Sequence, residues 1–216
     1  MDRGLSGVWP ALFDGFATTV IVSFSALLLG APLAILLAAA SRGGRVTTRL
    51  AGLYLSFWRG TPILVQLLIV FYLLPFFGLE LQPTLAATLA LALNTAAFQS
   101  EIYRAGLLAV PKGEIEAASM LGLSASQTFF RIEAPQAIRL MLPALIGEMQ
   151  ALVKNSSLVS VIAVTDITRR AQQVAASTFR PLEAYTSALL LYVIIGAVLA
   201  CIGLLLERHL SREAKQ

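Results

Sequence analysis

The sequence predicts an all-α, polytopic membrane protein with five transmembrane helices. Hydrophobic residues make up 57% of the 216 residues and charged residues only 13%, whereas charged residues are about a quarter of a typical soluble domain. The mean hydropathy is +0.79, and a soluble core of this size could not bury so much apolar surface. The apolar residues also fall in runs that reach the length of about 20 residues needed to cross a bilayer. We therefore interpret residues 1–216 as a single transmembrane domain.

The first span is predicted at residues 16–40, where the apolar run is too long for the hydrophobic region of a signal peptide. Its basic flank follows the run rather than preceding it. Because lysine and arginine collect on the cytoplasmic side of a membrane, the next loop is expected inside and the N-terminus outside. That flank consists of Arg42, Arg45 and Arg49.

The second span is predicted at residues 60–77 and the third at residues 83–108. An amphipathic segment at residues 50–58 precedes the second span and is expected to be an interfacial or entry helix. A helix tends to break before a proline, so Pro62 favours a break between this segment and the span. The third span carries an unusual number of polar side chains, namely Asn94, Thr95, Gln99, Ser100, Glu101 and Arg104.

A polar and amphipathic segment at residues 109–143 interrupts the apolar pattern. It is predicted to form two short helices in the cytoplasm, joined at Gly122, because glycine is favoured in the left-handed conformation that ends a helix. Ser124 and Gln127 have the spacing of a capping box, which predicts the start of the second helix. Pro135 is expected to interrupt that helix. Such an element can protrude from the membrane and be bound by another protein.

The fourth span is predicted at residues 144–164 and the fifth at residues 185–206, with a polar outer segment between them. Five spans place the C-terminus in the cytoplasm. Nine lysine and arginine residues then fall inside and four outside, which supports the orientation, although the outer pair Arg169-Arg170 does not follow the rule. The inner set is Arg42, Arg45, Arg49, Lys112, Arg131, Arg139, Arg208, Arg212 and Lys215, and the outer set is Arg3, Arg169, Arg170 and Arg180.

In the polar segment, Glu116-Ala117-Ala118 is followed at fixed spacings by Gly122, Ile132 and Ala134-Pro135. This spaced motif resembles the EAA loop of ABC importer permeases. Its one departure is Ala134, where the pattern has leucine. Two further stretches, Trp58 to Gln66 and Leu152 to Ile162, are similar to the polar amino-acid permease family of the histidine, glutamine and arginine type. The resemblance covers nearly the whole chain. It implies an ATPase-coupling loop formed by Glu116, Ala117, Ala118, Gly122, Ile132 and Pro135.

This resemblance implies a type I ABC importer permease fold, with several spans, in the bacterial cell inner (plasma) membrane. It also implies the partners: two ABC ATPase subunits per complex, a second permease copy or paralogue and an external solute-binding protein, besides the membrane lipid. The short helix that contains Glu116 would insert into a groove on the ATPase subunit. The implied function is ATP-driven import of a polar amino acid or a similar small solute.

The sequence also excludes several kinds of chemistry. It contains no Gly-x-x-x-x-Gly-Lys-Ser/Thr phosphate loop, so ATP is expected to be used by the partner ATPase, and no cofactor is expected on this chain. One cysteine and one histidine cannot make a metal cluster, and no protease or hydrolase motif predicts a catalytic residue. The net charge of +4 is attributed to membrane orientation and not to nucleic acid binding. An ion-coupled secondary transporter is the alternative, but such folds usually carry internal repeats, and none is visible.

Polar side chains within the spans are candidates for a substrate pathway. Glu101 lies three residues before Arg104 on one helical face, so the two can form a structural pair or line a gate. The uncharged Gln66 and Asn94 belong to a class of residue that bonds across membrane helices more often than it contacts a substrate.

The fourth span adds three candidates that the resemblance places at family positions. Lys154 and Asn155 are similar to the family's lysine and acid, although asparagine replaces the acid here, and Glu148 also matches. These groups either hold the charged ends of an amino acid or bind the facing subunit, and the sequence leaves both open. The complete set of pathway candidates is Gln66, Asn94, Glu101, Glu148, Lys154 and Asn155.

Overall fold

The computed structural model describes the backbone of residues 8–213 and the side chains of residues 9–209. Arg3 and Lys215, which count toward the charge pattern above, lie outside the described residues, and so does the Arg212 side chain. Every regular element of the described part is helical, which confirms the all-α prediction. The α-helices are α1 Val8–Ala40, α2 Arg45–Gly60, α3 Ile63–Leu73, α4 Pro83–Leu108, α5 Lys112–Met120, α6 Ala125–Thr128, α7 Ala134–Asn155, α8 Ile167–Thr178 and α9 Pro181–Glu213.

Three short segments extend these helices with a different pitch. A 3-10 turn at Leu74–Phe77 ends α3, and a second 3-10 stretch at Ser156–Ile162 continues α7. A π-helical turn at Phe129–Glu133 joins α6 to α7. Such turns are commonly short, and π-helical turns occur frequently at functional sites.

Helix α4 lies at the centre of the bundle, and its contact with α1 is the most extensive between any two elements of the described chain. Half of its 26 residues are buried, and many of these are alanine. Gly30 of α1 fits against this face because a Cβ there would lie 2.8 Å from the carbonyl oxygen of Ala92. Small residues allow membrane helices to approach this closely, so that van der Waals packing holds them together.

Two described helices can cross a membrane alone by length and composition, α1 over Trp9–Ala40 and α9 over Pro181–His209. Two bent helix pairs raise the number to four if each pair counts as one span. Helix α4 is not among them, because the polar residues of the predicted third span lower its hydropathy. The five-span count is therefore not confirmed and stays a prediction.

The predicted break near Pro62 is a bend of 107° between α2 and the helical segment that starts at Ile63. Pro62 is the N-cap residue of α3 and has extended backbone angles. Helix α2 begins at Arg45, ahead of the amphipathic segment expected at residues 50–58. It is amphipathic as expected, since Ala51 is buried while an apolar stripe on another face is exposed. This stripe consists of Val46, Leu50, Leu53 and Phe57.

The 3-10 stretch after α7 accounts for the serines that follow Lys154. The hydroxyl of Ser156 donates to the carbonyl oxygen of Val153 at 2.7 Å, and the hydroxyl of Ser157 donates to that of Lys154 at 2.7 Å. Ser160 bonds in the same way to Ser157 at 2.8 Å. The serines therefore satisfy backbone carbonyls where the α-helical hydrogen bonds end.

The segment after this stretch is held to α9 by Asp166, which is buried at the N-cap of α8, and to α1 by Arg170. Its carboxylate accepts hydrogen bonds from the backbone N–H of Arg169 at 2.8 Å and from the Tyr192 hydroxyl at 3.1 Å. Arg170, one of the two arginines that the sequence predicts outside, forms an ion pair with Asp14 of α1. Arg170 therefore has a structural role that does not depend on the charge rule.

Candidate functional site

The polar segment between α4 and α7 begins with α5, which ends in the glycine joint that its sequence predicts. Gly122 has φ +79°, and no atom would contact a Cβ placed there, so the backbone conformation is the reason for glycine. The N–H of Leu123 bonds to the carbonyl of Ala118 at 3.1 Å, and the N–H of Gly122 bonds to that of Ser119 at 3.0 Å. This pair of bonds is a Schellman motif, which closes the C-terminus of the helix.

The second half of the segment starts at the predicted capping box. The side chain of Ser124 accepts from the N–H of Gln127 at 3.3 Å, and the Gln127 side chain accepts from the N–H of Ser124 at 2.9 Å. The expectation that Pro135 interrupts this helix is wrong. The helix widens into a π-turn instead, in which the N–H of Ala134 bonds to the carbonyl of Phe129. This turn lies directly before the proline, so the chain continues into α7 without a break.

Two parts of the spaced motif meet across this joint. Glu114 on α5 accepts a hydrogen bond from Gln136 on α7. A cleft of about 430 Å³ lies between the two helices, and four of the six motif residues line it. The spacing of the motif thus serves to bring α5 against the start of α7. These four residues are Ala117, Ala118, Ile132 and Pro135.

The remaining face of the joint is apolar and open. Met120 is 89% exposed and Leu121 is 82% exposed. Glu116 and Ala117 are exposed on the same short helix, whereas Ala118 is buried against the rest of the chain. A helical corner that presents methionine and leucine beside a carboxylate has the composition of a protein-binding surface. We refer to residues 112–136 as the elbow.

Within the bundle, Gln66 and Asn94 form one buried node. Asn94 Nδ2 donates to Gln66 Oε1 at 2.8 Å and to the carbonyl oxygen of Trp58 at 3.1 Å. Gln66 Nε2 donates to the same carbonyl at 2.9 Å and to the Thr61 hydroxyl at 2.7 Å. Both amides thus bond to backbone groups that the bend between α2 and α3 leaves without helical partners.

Glu101 is the centre of a charged cluster on α4. Its carboxylate accepts from Arg104 at 2.8 Å and 3.2 Å, as the spacing predicts. Arg59 of α2 lies 3.7 Å from the same carboxylate, and its guanidinium is 5.6 Å from the centre of the Phe98 ring. Sequence reasoning missed the contribution of Arg59, because it depends on the fold. One carboxylate here faces two cations, so the cluster carries a net positive charge.

Glu148 connects three helices through a chain of hydrogen bonds. It accepts from the Thr95 hydroxyl of α4 at 2.7 Å, and Thr95 accepts from Gln99 at 3.3 Å. Gln99 in turn donates to the carbonyl of Leu27 on α1 at 3.1 Å and accepts from the Tyr103 hydroxyl at 2.7 Å. Some of the polar side chains of the predicted third span therefore join α7 and α1 to α4.

Lys154 and Asn155 lie at the end of α7 and do not bond to each other. The Lys154 side chain is exposed, and it makes no hydrogen bond or ion pair with residues 9–209. Within that part of the chain, no hydrogen bond or ion pair connects Lys154 with the Gln66–Asn94 node, the Glu101 cluster or Glu148. The six candidates thus form separate groups and not one closed pocket.

The elbow, the bend and the polar α4 can be compared with known proteins. The family described as "Binding-protein-dependent transport system inner membrane component" matches residues 30–215. This match covers well over half of the chain.

The chain belongs to this family of inner membrane transport components. Curated relatives agree with the assignment. An L-cystine transport system permease protein, TcyB of Bacillus subtilis (strain 168), is 38% identical over 206 residues, which are 94% of this chain and 88% of the relative. The glutamine permease protein GlnP of Escherichia coli (strain K12) is 35% identical over 98% of this chain and 99% of its own length. The octopine permease protein OccM of Rhizobium meliloti is 40% identical over 90% of this chain and 89% of its own length.

Solved structures confirm the fold of this transport component. The crystal structure of an amino acid ABC transporter with histidines matches with a TM-score of 0.88 and 33% identity, covering 97% of this chain and 99% of that chain. The inward-facing MetNI methionine ABC transporter matches with a TM-score of 0.73 at 19% identity, which shows the fold alone. The transport component therefore has the predicted ABC importer permease fold.

Family membership settles what kind of subunit this is. It is the non-catalytic transmembrane component of an ABC transport system, and ATP hydrolysis belongs to a separate subunit. The family context also implies an ATPase and a substrate-binding protein as partners. Nothing in these comparisons supports the ion-coupled alternative.

Proposed function

We propose that this permease imports a polar amino acid or a similar small solute, with ATP used by its partner ATPase and no cofactor bound by the chain itself. The relatives named above transport L-cystine, glutamine and octopine, which all carry the charged groups of an amino acid. In the proposed topology, five spans place the N-terminus outside and the C-terminus in the cytoplasm. The spans follow the sequence prediction, at about residues 16–40, 60–77, 83–108, 144–164 and 185–206.

The elbow is the observation that carries this proposal. Its apolar corner at Met120 and Leu121 is exposed in a segment that the charge pattern assigns to the cytoplasm. An exposed apolar corner of this kind is stabilised when another protein covers it. We infer that each of two ATPase subunits grips one elbow, and that the transporter contains two permease copies or paralogues.

The coupling residues divide into two roles in this proposal. Glu116 and Ala117 face the ATPase, since both are exposed on α5. Ala118, Ile132 and Pro135 hold α5 against α7 through the cleft, which Ala117 also lines, and Gly122 sets the angle between the halves. A movement of the ATPase is then transmitted to α7, which carries Glu148 and Lys154.

The pathway proposal rests on the cost of charge in a membrane. A charged side chain that faces lipid is unfavourable, so exposed charges within spans usually face a protein partner or water. We propose that Lys154, Asn155 and the Glu101 cluster face the space between two permeases. There they attract the carboxylate and ammonium groups of the solute. Gln66, Asn94 and Glu148 support the surrounding helices from behind.

Reconstitution tests the proposed function. The permease is placed in proteoliposomes with the ATPase and binding protein that purify with it, and uptake of radiolabelled amino acids is measured. We expect uptake that requires ATP and the binding protein and that does not respond to a proton or sodium gradient. Uptake by the permease alone, driven by an ion gradient, would contradict the proposal.

A further inference from the structure

An apolar groove of about 600 Å³ runs along the inner end of α1 and has no role in the function described so far. Its walls come from α1, α4 and α7, and Phe129 of the π-turn also lines it. This volume falls within the range of about 300–1,000 Å³ that is usual for ligand sites. Apart from the Tyr103 ring, which carries a hydroxyl, and the Arg42 side chain, every side chain that lines the groove is apolar.

Arg42 is the cation at one end of this groove. Its side chain is exposed and forms no hydrogen bond or ion pair with the described side chains. The Tyr103 hydroxyl, in contrast, is already bonded to Gln99. Ile35 and Ala39 of α1 both line the groove, which spans about 6 Å of that helix at a rise of about 1.5 Å per residue, and Arg42 lies in the turn that follows α1.

Two more cations lie near this end of α1. The Thr48 hydroxyl bonds to the carbonyl of Ala40 at 3.5 Å, which holds the first turn of α2 against the end of α1. The first two turns of α2 carry Arg45 and Arg49, both exposed. Arg42 is thus the cation that lines the groove, and two more cations follow it on the side that the topology proposed above, on which this inference rests, places in the cytoplasm.

We propose that the groove binds one acyl chain of an anionic phospholipid of the inner leaflet, with the phosphate of the lipid at Arg42. Basic pockets between transmembrane helices on the cytoplasmic side suit anionic headgroups. A free phosphate ion would leave the apolar walls uncovered, and an apolar helix of a second copy would leave Arg42 without an anion. An amphiphile with a negative headgroup satisfies both parts of the groove.

The bound lipid contacts the elbow's connection to the membrane. Phe129 begins the π-turn and Ala134 directly follows it, and both residues line the groove. The acyl chain therefore packs against both ends of the π-turn, which is the part of the elbow that leads into α7. This placement makes the site a support for the coupling segment, distinct from the solute pathway.

Native mass spectrometry of the intact, delipidated transporter tests the site by counting bound lipids per permease chain. Phosphatidylglycerol and phosphatidylcholine with identical acyl chains are the probes. We expect one phosphatidylglycerol to be retained per chain, and Arg42→Gln to weaken its binding by about fivefold, the value for one cation at a membrane surface. Arg208→Gln is the matched control, because Arg208 is also exposed but does not line the groove.

A second variant tests the apolar part. Ala39 lines the groove and is exposed, so Ala39→Trp should fill it and remove the retained lipid without disturbing the core. The proposal is wrong if both lipids bind equally, or if Arg42→Gln and Arg208→Gln behave alike. It is also wrong if Ala39→Trp separates two permease copies while lipid retention is unchanged, since a protein helix would then occupy the groove. Because the readout is lipid binding, a failed uptake assay would not affect the result.

Discussion

Asn94 of α4 donates a hydrogen bond of 2.8 Å to Gln66 of α3, and the two side chains are only 4% and 2% exposed. Both amides also bond to the carbonyl oxygen of Trp58, just before the bend. This pair fixes the angle of α2 relative to α3 at the middle of the molecule.

The stability losses from replacing Asn94 and Gln66 one at a time should sum to more than the loss from replacing both together. Asn94→Leu or Gln66→Leu leaves a buried polar partner unsatisfied, which costs about 1–3 kcal/mol. Each single variant already breaks the bond between the two amides, so we expect the double variant to lose less than the sum of the single losses, although it also removes both donors to the Trp58 carbonyl. Thermal unfolding in detergent measures these changes. Gln173→Leu on the exposed face of α8 is the control, and additive losses would show that the two amides act independently.

Gly122 should tolerate a Cβ poorly even though the space around it is empty. Its φ of +79° costs a non-glycine residue about 1–2 kcal/mol. Gly113 on the same elbow also has no neighbour within 4 Å of a Cβ but has no positive φ. We expect Gly122→Ala to lower the amount of uptake per ATP hydrolysed, while Gly113→Ala leaves it unchanged.

A bulkier change at the same position tests whether the elbow holds the ATPase. Gly122→Leu should reduce the ATPase recovered by pull-down while the permease still inserts into the membrane. Gly122→Asn should retain more of it, because asparagine tolerates the left-handed conformation. If Gly122→Leu binds its ATPase and transports normally, the elbow is not the coupling site.

Replacing Glu101 by glutamine should impair transport more strongly than the same replacement in another ion pair of the chain. Glu101→Gln leaves both Arg59 and Arg104 without their anion. We expect uptake to fall several-fold while assembly is preserved, because the cluster is partly exposed. Glu183→Gln breaks a pair of the same i, i+3 spacing with Arg180 and serves as the control. Equal uptake by the two variants would assign Glu101 a structural role only.

Gly30 should be sensitive to any side chain because of its distance to α4. A Cβ there would lie 2.8 Å from the backbone oxygen of Ala92, and overpacking of this kind costs about 1–3 kcal/mol. Gly30→Ala is therefore expected to lower the melting temperature and the yield of folded protein. Gly52→Ala, which meets no atom within 4 Å, should change neither. Unchanged stability of Gly30→Ala would mean that α1 and α4 can separate at little cost.

Local chemistry explains which parts of the elbow were predictable from the sequence. The Ser124–Gln127 capping box and the left-handed Gly122 depend on neighbouring residues, so both were predicted and are confirmed. The continuation of the helix past Pro135 was not predictable, because a π-turn at Phe129 has no reliable sequence signal. The all-α fold was predictable from composition and hydropathy, because these indicate that the chain is surrounded by lipid and not by water.

The features that could not be predicted are contacts between segments that lie far apart in the sequence. Arg59 lies 42 positions before Glu101 in the sequence, and Asp14 pairs with Arg170, which lies 156 positions later. The Thr95 bond to Glu148 and the Gln66 bond to Asn94 likewise depend on how the helices pack. A single sequence identifies such residues as polar in an apolar setting, but their partners depend on the fold.

The low hydropathy and central position of α4 have a consequence for biosynthesis. Since α1 precedes α4 in the chain, its packing surface is synthesised first and is available when α4 follows. The polar side chains of α4 can then be sheltered by protein soon after synthesis, before they meet lipid. A chain synthesised without residues 8–40 would lack this shelter and become a substrate for membrane quality-control proteases.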